Sequence, residues 1–175
     1  YAQAKMSQGA LEDYLAEEIS ADLGEALAKD VFAQILSDAA ANAQDKSTDA
    51  IFTAVAKTLG KASHAVRPVI YCTAAKYYEL FGAVDSNGQP IFRNGVAIGA
   101  DVKIDSAVPA SVTVSSQSET LDYIVVDPSK FVLNQIQPVM IESMKDVKEH
   151  NIVVSGYMRA EGCMRDNNAA AFLYE

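Results

Sequence analysis

Few residues in this 175-residue chain combine the type and spacing that chemistry requires. His64 and Arg67 stand three positions apart and could form an acid/base pair. An ordinary loop histidine ahead of a strand is the simpler expectation. Asp101, Asp105, Asp122 and Asp127 could gather around a hard cation, but their spacing fits no EF-hand loop. A solvated acidic rim is expected instead. The run GVAIGAD, Gly95 to Asp101, has the glycines of a phosphate loop without the lysine that follows in one, and it sits among strands, so a turn is expected. No Walker, dinucleotide, zincin or nucleophile-elbow pattern occurs. Cys72 and Cys163 form no C-x-x-C pair, and His64 and His150 are the only histidines, too few for a zinc set. A disulfide between the cysteines stays open, with two structural thiols in a reducing compartment as the expectation. There is no N-x-[ST] sequon. From Arg159 to Asp166 (RAEGCMRD) charges alternate in sign. Such a run is either a solvated strand face or an ion-pair strip between subunits, setting register more than affinity.

The elements that would position these residues include two unusually long ones. Leu11, Leu15, Ile19, Leu23, Leu27, Val31 and Ile35 recur every four residues, which predicts a helix from Ser7 to Ala41. Ser7 is its expected N-cap, and Glu12, Asp13, Glu17 and Glu18 favour its positive end. At about 1.5 Å per residue it would reach about 50 Å, unless it breaks near Gly24 into two shorter helices. A polar stretch from Asn42 to Thr48 follows. Ser47 or Thr48 then caps a second helix carrying Ile51, Val55 and Leu59 and ending at Gly60. Val66 to Cys72 is a short strand. Thr73 caps a third helix with Tyr77, Tyr78, Leu80 and Phe81, closed by Gly82. Asp85 to Gly88 is a turn. Short strands are expected at Ile91–Phe92, Val96–Ile98 and Val102–Ile104, an exposed loop at Pro109–Thr120, and a buried strand at Tyr123–Val126 ending at Asp127-Pro128. Phe131–Ser143, interrupted by Pro138, and Asn151–Glu161 make a long hairpin across the charged link MKDVKEH; the second strand alternates apolar and polar residues. Ala169–Tyr174 is one more strand.

Composition narrows the function classes. Apolar residues make up 50% and charged residues 21%, so the chain can build a core and is not disordered. Alanine, concentrated before position 65, inflates the apolar share, and the mean hydropathy is only +0.04. The net charge of −9 disfavours a basic nucleic-acid binder and a polybasic membrane-surface protein. No apolar run is long enough to cross a bilayer, and no signal-peptide pattern opens the chain. The start at Tyr1 suggests a processed product or an excised piece.

The order of motifs resembles the major capsid proteins of tailed bacteriophages, the HK-ninety-seven-like fold. The stretch NIVVSGYMRAEGCMRDNNAAAFL, Asn151 to Leu173, is similar to that family's long strand, charged segment, turn and final apolar strand, with Arg159, Glu161, Gly162, Asp166 and Ala169 in the matching places. VIYCTAAKYYELFGAVDSNGQPIF (Val69–Phe92), IGADVKIDSAVP (Ile98–Pro109) and YIVVDPSKF (Tyr123–Phe131) resemble further passages, with Val126 where the family has glycine. The resemblance implies an α+β fold: a long spine helix packed on a long antiparallel hairpin, plus a compact mixed α/β axial lobe. The peripheral-type lobe would be 1-46 and 131-166, and the axial-type lobe 47-130 and 167-175. It implies a non-catalytic shell subunit that self-assembles into pentamers and hexamers around DNA. No cofactor, metal, small-molecule substrate, membrane or specific nucleic-acid sequence would be involved. Its place would be the virion, and the bacterial host cytoplasm during assembly. Tyr157, Arg159, Glu161, Arg165 and Asp166 would lie at subunit contacts. The family's N-terminal arm and extended loop have no counterpart before Ser7. Two alternatives remain: an encapsulin-like nanocompartment shell protein, and a small cytosolic α/β enzyme or ligand-binding domain using His64, Arg67 and the acidic residues.

Overall fold

The computed structural model describes residues 8–47, 49–84, 88–90, 92, 96–146 and 151–175. Its helices are α1 (Gln8–Asp38), α2 (Ile51–Lys61) and α3 (Ala74–Phe81). Its strands are β1 (Ala43–Asp45), β2 (Val69–Cys72), β3 (Val96–Ala97), β4 (Ala100–Ile104), β5 (Ser111–Val114), β6 (Gln117–Val126), β7 (Phe131–Asp146), β8 (Asn151–Met164) and β9 (Ala170–Tyr174). The chain divides into two units: residues 1–28 with 134–161, and residues 29–133 with 162–175.

α1 is continuous through Gly24 for 31 residues, or about 46 Å. An exposed glycine in mid-helix weakens a helix without breaking it, and Gly24 has open space around it. No acidic residue falls in the first described turn, so Glu12 and Asp13 sit later than the dipole argument required; Ser7 lies outside the described residues. A strict four-residue spacing advances about 40° per step around a helix with 3.6 residues per turn. The leucine stripe therefore winds around α1 instead of keeping to one side.

In the first unit α1 packs on a two-stranded sheet of β7 and β8. The contact is close because Gly156 presents no side chain. A Cβ there would lie directly against Ile19 Cγ2 and 3.1 Å from Leu23 Cδ1. β7 runs on past Pro138 to Asp146 without interruption. Proline is tolerated in such a strand because its missing N–H can face an unpaired edge. Of the expected link, Met144–Asp146 extend β7 and residues 147–150 lie outside the described set.

The second unit holds the core. Its sheet runs β1-β9-β6-β2-β4-β3, with β5 beside β6. The β1/β9 and β2/β4 pairs are parallel, the others antiparallel. Alternation along the central strands turns Ile70, Cys72, Tyr123, Val125, Ala171 and Leu173 to one face, where α2 and α3 cover them with Ala54, Val55 and Leu80. On the other side of β2, Tyr71 meets Phe32 of α1 edge to face at 5.4 Å. Each fully buried Leu or Ile contributes about 1.5–3 kcal/mol through area removed from water.

Several local expectations change. The N-cap of α2 is Ala50, with no side-chain cap. Ser47 instead sits at φ 49 in a turn where its N–H donates to Asp45 Oδ1 at 2.7 Å; Thr48 lies outside the described residues. α2 ends at Lys61, capped by Ala62 rather than by Gly60. Thr73 does occupy the N-cap of α3 and Gly82 its C-cap, without a side-chain bond from Thr73. The strand before Cys72 begins at Val69. The expected loop at 109–120 is a hairpin: β5 and the start of β6 pair from Ser111↔Thr120 to Val114↔Gln117. Its two-residue turn, Ser115-Ser116, takes positive φ at both positions. Twisted hairpins favour that geometry, usually with Asn-Gly, and two serines hide it. Ile98-Gly99 makes a similar turn between β3 and β4, as expected for the glycine-bearing run, so the strand expected at Val96–Ile98 stops at Ala97; Gly95, Ile91 and the turn residues 85–87 lie outside the described set.

Candidate functional site

The four acidic residues do not converge. Asp101 is exposed on β4, and Asp105 holds a turn by accepting the Ala107 N–H at 2.9 Å. Asp122 and Asp127 are buried, the opposite of a solvated rim. Among the described residues no group of acids, cysteines and histidines is placed to hold a metal ion. His64 does not pair with Arg67. Its Nδ1 lies 2.7 Å from Asp166 Oδ2.

Asp127 is a backbone clip. Its carboxylate accepts the N–H groups of Val66 (2.9 Å), Arg67 (3.2 Å) and Ser129 (3.0 Å) and the Ser129 hydroxyl (2.7 Å). Burial alone would raise its pKa. These hydrogen bonds to the charged form outweigh burial and hold it down at about 2. The Asp127-Pro128 stop at the end of β6 thus also anchors the chain entering β2.

Asp122 is not legible as a site in the sequence. It lies inside a register shift between Leu121 and Tyr123 where β6 meets β9. Such a bulge leaves one residue unpaired and re-aims its side chain. The side chain is fully buried, with Lys76 Nζ at 2.6 Å and Lys46 Nζ at 3.3 Å. Lys76 also meets Glu79 at 3.1 Å, and Lys46 meets Glu175 at 2.6 Å. Hydrogen bonding to Glu175 raises the Lys46 pKa, and the same bond lowers that of Glu175. Burial would lower the Lys76 pKa, but Asp122 and Glu79 raise it on balance. Both lysines are held charged, so neither is poised as a nucleophile. The cluster ties β1, α3, β6 and the end of β9 together. The one sequence signal is an aspartate inside the apolar run LDYIVV.

The expected contact residues separate into two groups. Val153, Ser155, Tyr157, Arg159, Glu161 and Cys163 are exposed along β8, alternating with half-buried Val154, Gly156, Met158, Ala160 and Gly162. Arg159 and Glu161 are brought together, Nη2 to Oε1 3.8 Å, with both side chains 68% exposed. Tyr157 donates its hydroxyl to Glu142 Oε1 of β7 at 3.1 Å. Arg165 and Asp166 belong to the second unit. The Arg165 N–H donates to the Lys130 carbonyl at 2.8 Å, leaving its side chain exposed. Asp166 is engaged internally: besides His64, it accepts the Asn168 N–H at 3.0 Å and caps a short 3-10 turn. Its pKa is lowered first by His64 and then by that N–H. The thiols also differ from expectation. Cys72 is buried, which pushes its pKa up to about 11, whereas Cys163 is exposed; both are free.

A spine helix on a long antiparallel hairpin, together with a mixed sheet flanked by helices, is the α+β architecture of the tailed-phage major capsid fold. Solved structures carry the same likeness. One titled "Mycobacterium phage Bobi" superposes with a TM-score of 0.72 at 15% identity, over 96% of this chain and 66% of the other. One titled "Mycobacterium phage Adephagia" gives 0.70 at 13%, over 95% and 66%. The capsid of an empty GTA particle gives 0.50 at 10%, over 66% and 42%. At these identities the likeness is one of fold, and the chain spans 66% of the length of the first two. No family model and no curated protein matches the sequence. No helix among the described residues is long and apolar enough to cross a membrane.

Proposed function

We propose that this chain is a structural subunit of a phage-type capsid shell, working by self-association around DNA and not by catalysis. The observation that supports this best is the superposition of 96% of the chain on a phage structure at a TM-score of 0.72. In this reading the helix-on-hairpin lobe is peripheral in the shell and the sheet lobe gathers around its five- and six-fold axes. Subunit contacts use the strip of Tyr157, Arg159, Glu161 and Arg165, with Asp166 at its end. The net charge of −9 suits a wall that encloses nucleic acid without adhering to it. The complete open reading frame, expressed and viewed by negative-stain microscopy, should give rings or shells. A protein that stays monomeric at high concentration would defeat the proposal.

A further inference from the structure

We infer that the free edge of β8 pairs antiparallel with β8 of a second copy of this chain, about a two-fold axis at Ala160. This rests on the self-association proposed above and adds the edge and the register. β8 pairs β7 in a two-stranded sheet, and no described strand covers its other edge. An uncovered edge presents a row of N–H and C=O groups that matches another strand. A two-stranded sheet is marginal alone, and pairing two copies gives four strands.

Charge selects the register. With Ala160 opposite its own symmetry mate, Arg159 faces the partner's Glu161, and Glu161 faces the partner's Arg159. Shifting one step along the same face sets Arg159 against Arg159 or Glu161 against Glu161. Opposite charges directly across a strand pair attract and like charges repel. The strip is thus self-complementary in one arrangement, as a two-fold interface requires. Within one copy these two side chains reach each other only loosely, at 3.8 Å and mostly in solvent. The same register places Tyr157 opposite the partner's Cys163, which is exposed and free.

The test is sedimentation velocity at low salt on the whole chain and two charge reversals. Arg159→Glu and Glu161→Arg should each weaken association about tenfold or more, since two symmetric pairs turn repulsive at once. An equimolar mixture of the two variants should recover it, as should the chain carrying both substitutions. In a second arm, with dissolved oxygen and copper–phenanthroline as the oxidant that takes the two electrons, Tyr157→Cys should form a disulfide-linked dimer through native Cys163, while Val153→Cys should not. Both charged positions are exposed, and unchanged circular dichroism will show that the variants fold. Unaltered association in the single variants, or equal cross-linking by Val153→Cys, overturns this pairing. If shells form from the complete reading frame and the reversals leave them intact, the pairing falls and the shell proposal stands. If the complete reading frame, unmodified, never associates, both fall.

Discussion

The two units of this chain differ in what they bury. Among the described residues, every fully buried hydrophobic side chain lies in the sheet unit, from Phe32 to Leu173. The helix-and-hairpin unit has none. Its best-covered residues, such as Ile19, Leu23 and Met158, are half-buried, and Ile136, Val139, Met140, Ile141, Met144 and Val153 are exposed. A helix on two strands has two layers and no third to close over the sheet, so it cannot bury its apolar surface alone. The sheet unit has helices on both sides and folds around its own core. Regions poor in buried contacts open at lower free energy. The lesson is that one unit is stabilised from within and the other invites cover from outside.

The largest effect should come from the buried charges of the sheet unit. Asp122→Ala leaves Lys46 and Lys76 without their shared counter-charge and should cost about 3–5 kcal/mol in urea unfolding. A loss below about 1 kcal/mol would show that Glu79 and Glu175 neutralise both lysines unaided. Next is a matched pair of truncations. Leu173→Ala in the core should cost about 2–5 kcal/mol, while Leu23→Ala, half in solvent, should cost about 1 kcal/mol. Equal costs would erase the distinction between the units.

Two glycines sharpen the picture inside the helix-and-hairpin unit. Gly156→Ala should destabilise by about 1–3 kcal/mol because Ile19, branched at Cβ, cannot swing away. Gly24→Ala meets open space and should stabilise by about 0.5–1 kcal/mol through helix propensity and a less flexible unfolded chain. Thermal unfolding of both variants reads the signs, and the same sign for both would place the helix–hairpin contact elsewhere. The effect confined to the narrowest window is that of pH on Asp127. Its folded pKa of about 2 lies below the ordinary 3.8, so its contribution is complete above about pH 4 and is lost as pH falls through 2. Asp127→Asn should flatten the stability profile across that window. An unchanged slope there would assign acid sensitivity to other carboxylates.

Patterns that repeat over neighbouring residues are legible in the sequence alone. The four-residue spacing of leucines marks α1, strict alternation marks β8, and the block YIVV marks the buried strand, because side-chain periodicity follows from local backbone geometry. The order of these elements is enough to suggest the capsid fold. The β5–β6 hairpin is hidden because Ser115-Ser116 lacks the residues that usually adopt positive φ. Cys163 reads as a structural thiol because free cysteines are so often buried, yet it falls on the exposed parity of β8. The acidic residues mislead most. Asp122 and Asp127 look like surface charges in a linear text, and burial is what sets them apart.

The sequence by itself determined where helix and strand run and that the chain can hold a core. Only the tertiary structure decided which polar groups meet. Lys46, Lys76, Asp122 and Glu175 are scattered along the chain and converge only because β1, β9 and β6 lie side by side with α3 nearby. It also decided that one unit closes over its apolar residues while the other leaves them open. Burial depends on how many layers pack together, and that number is not a property of any short stretch of sequence.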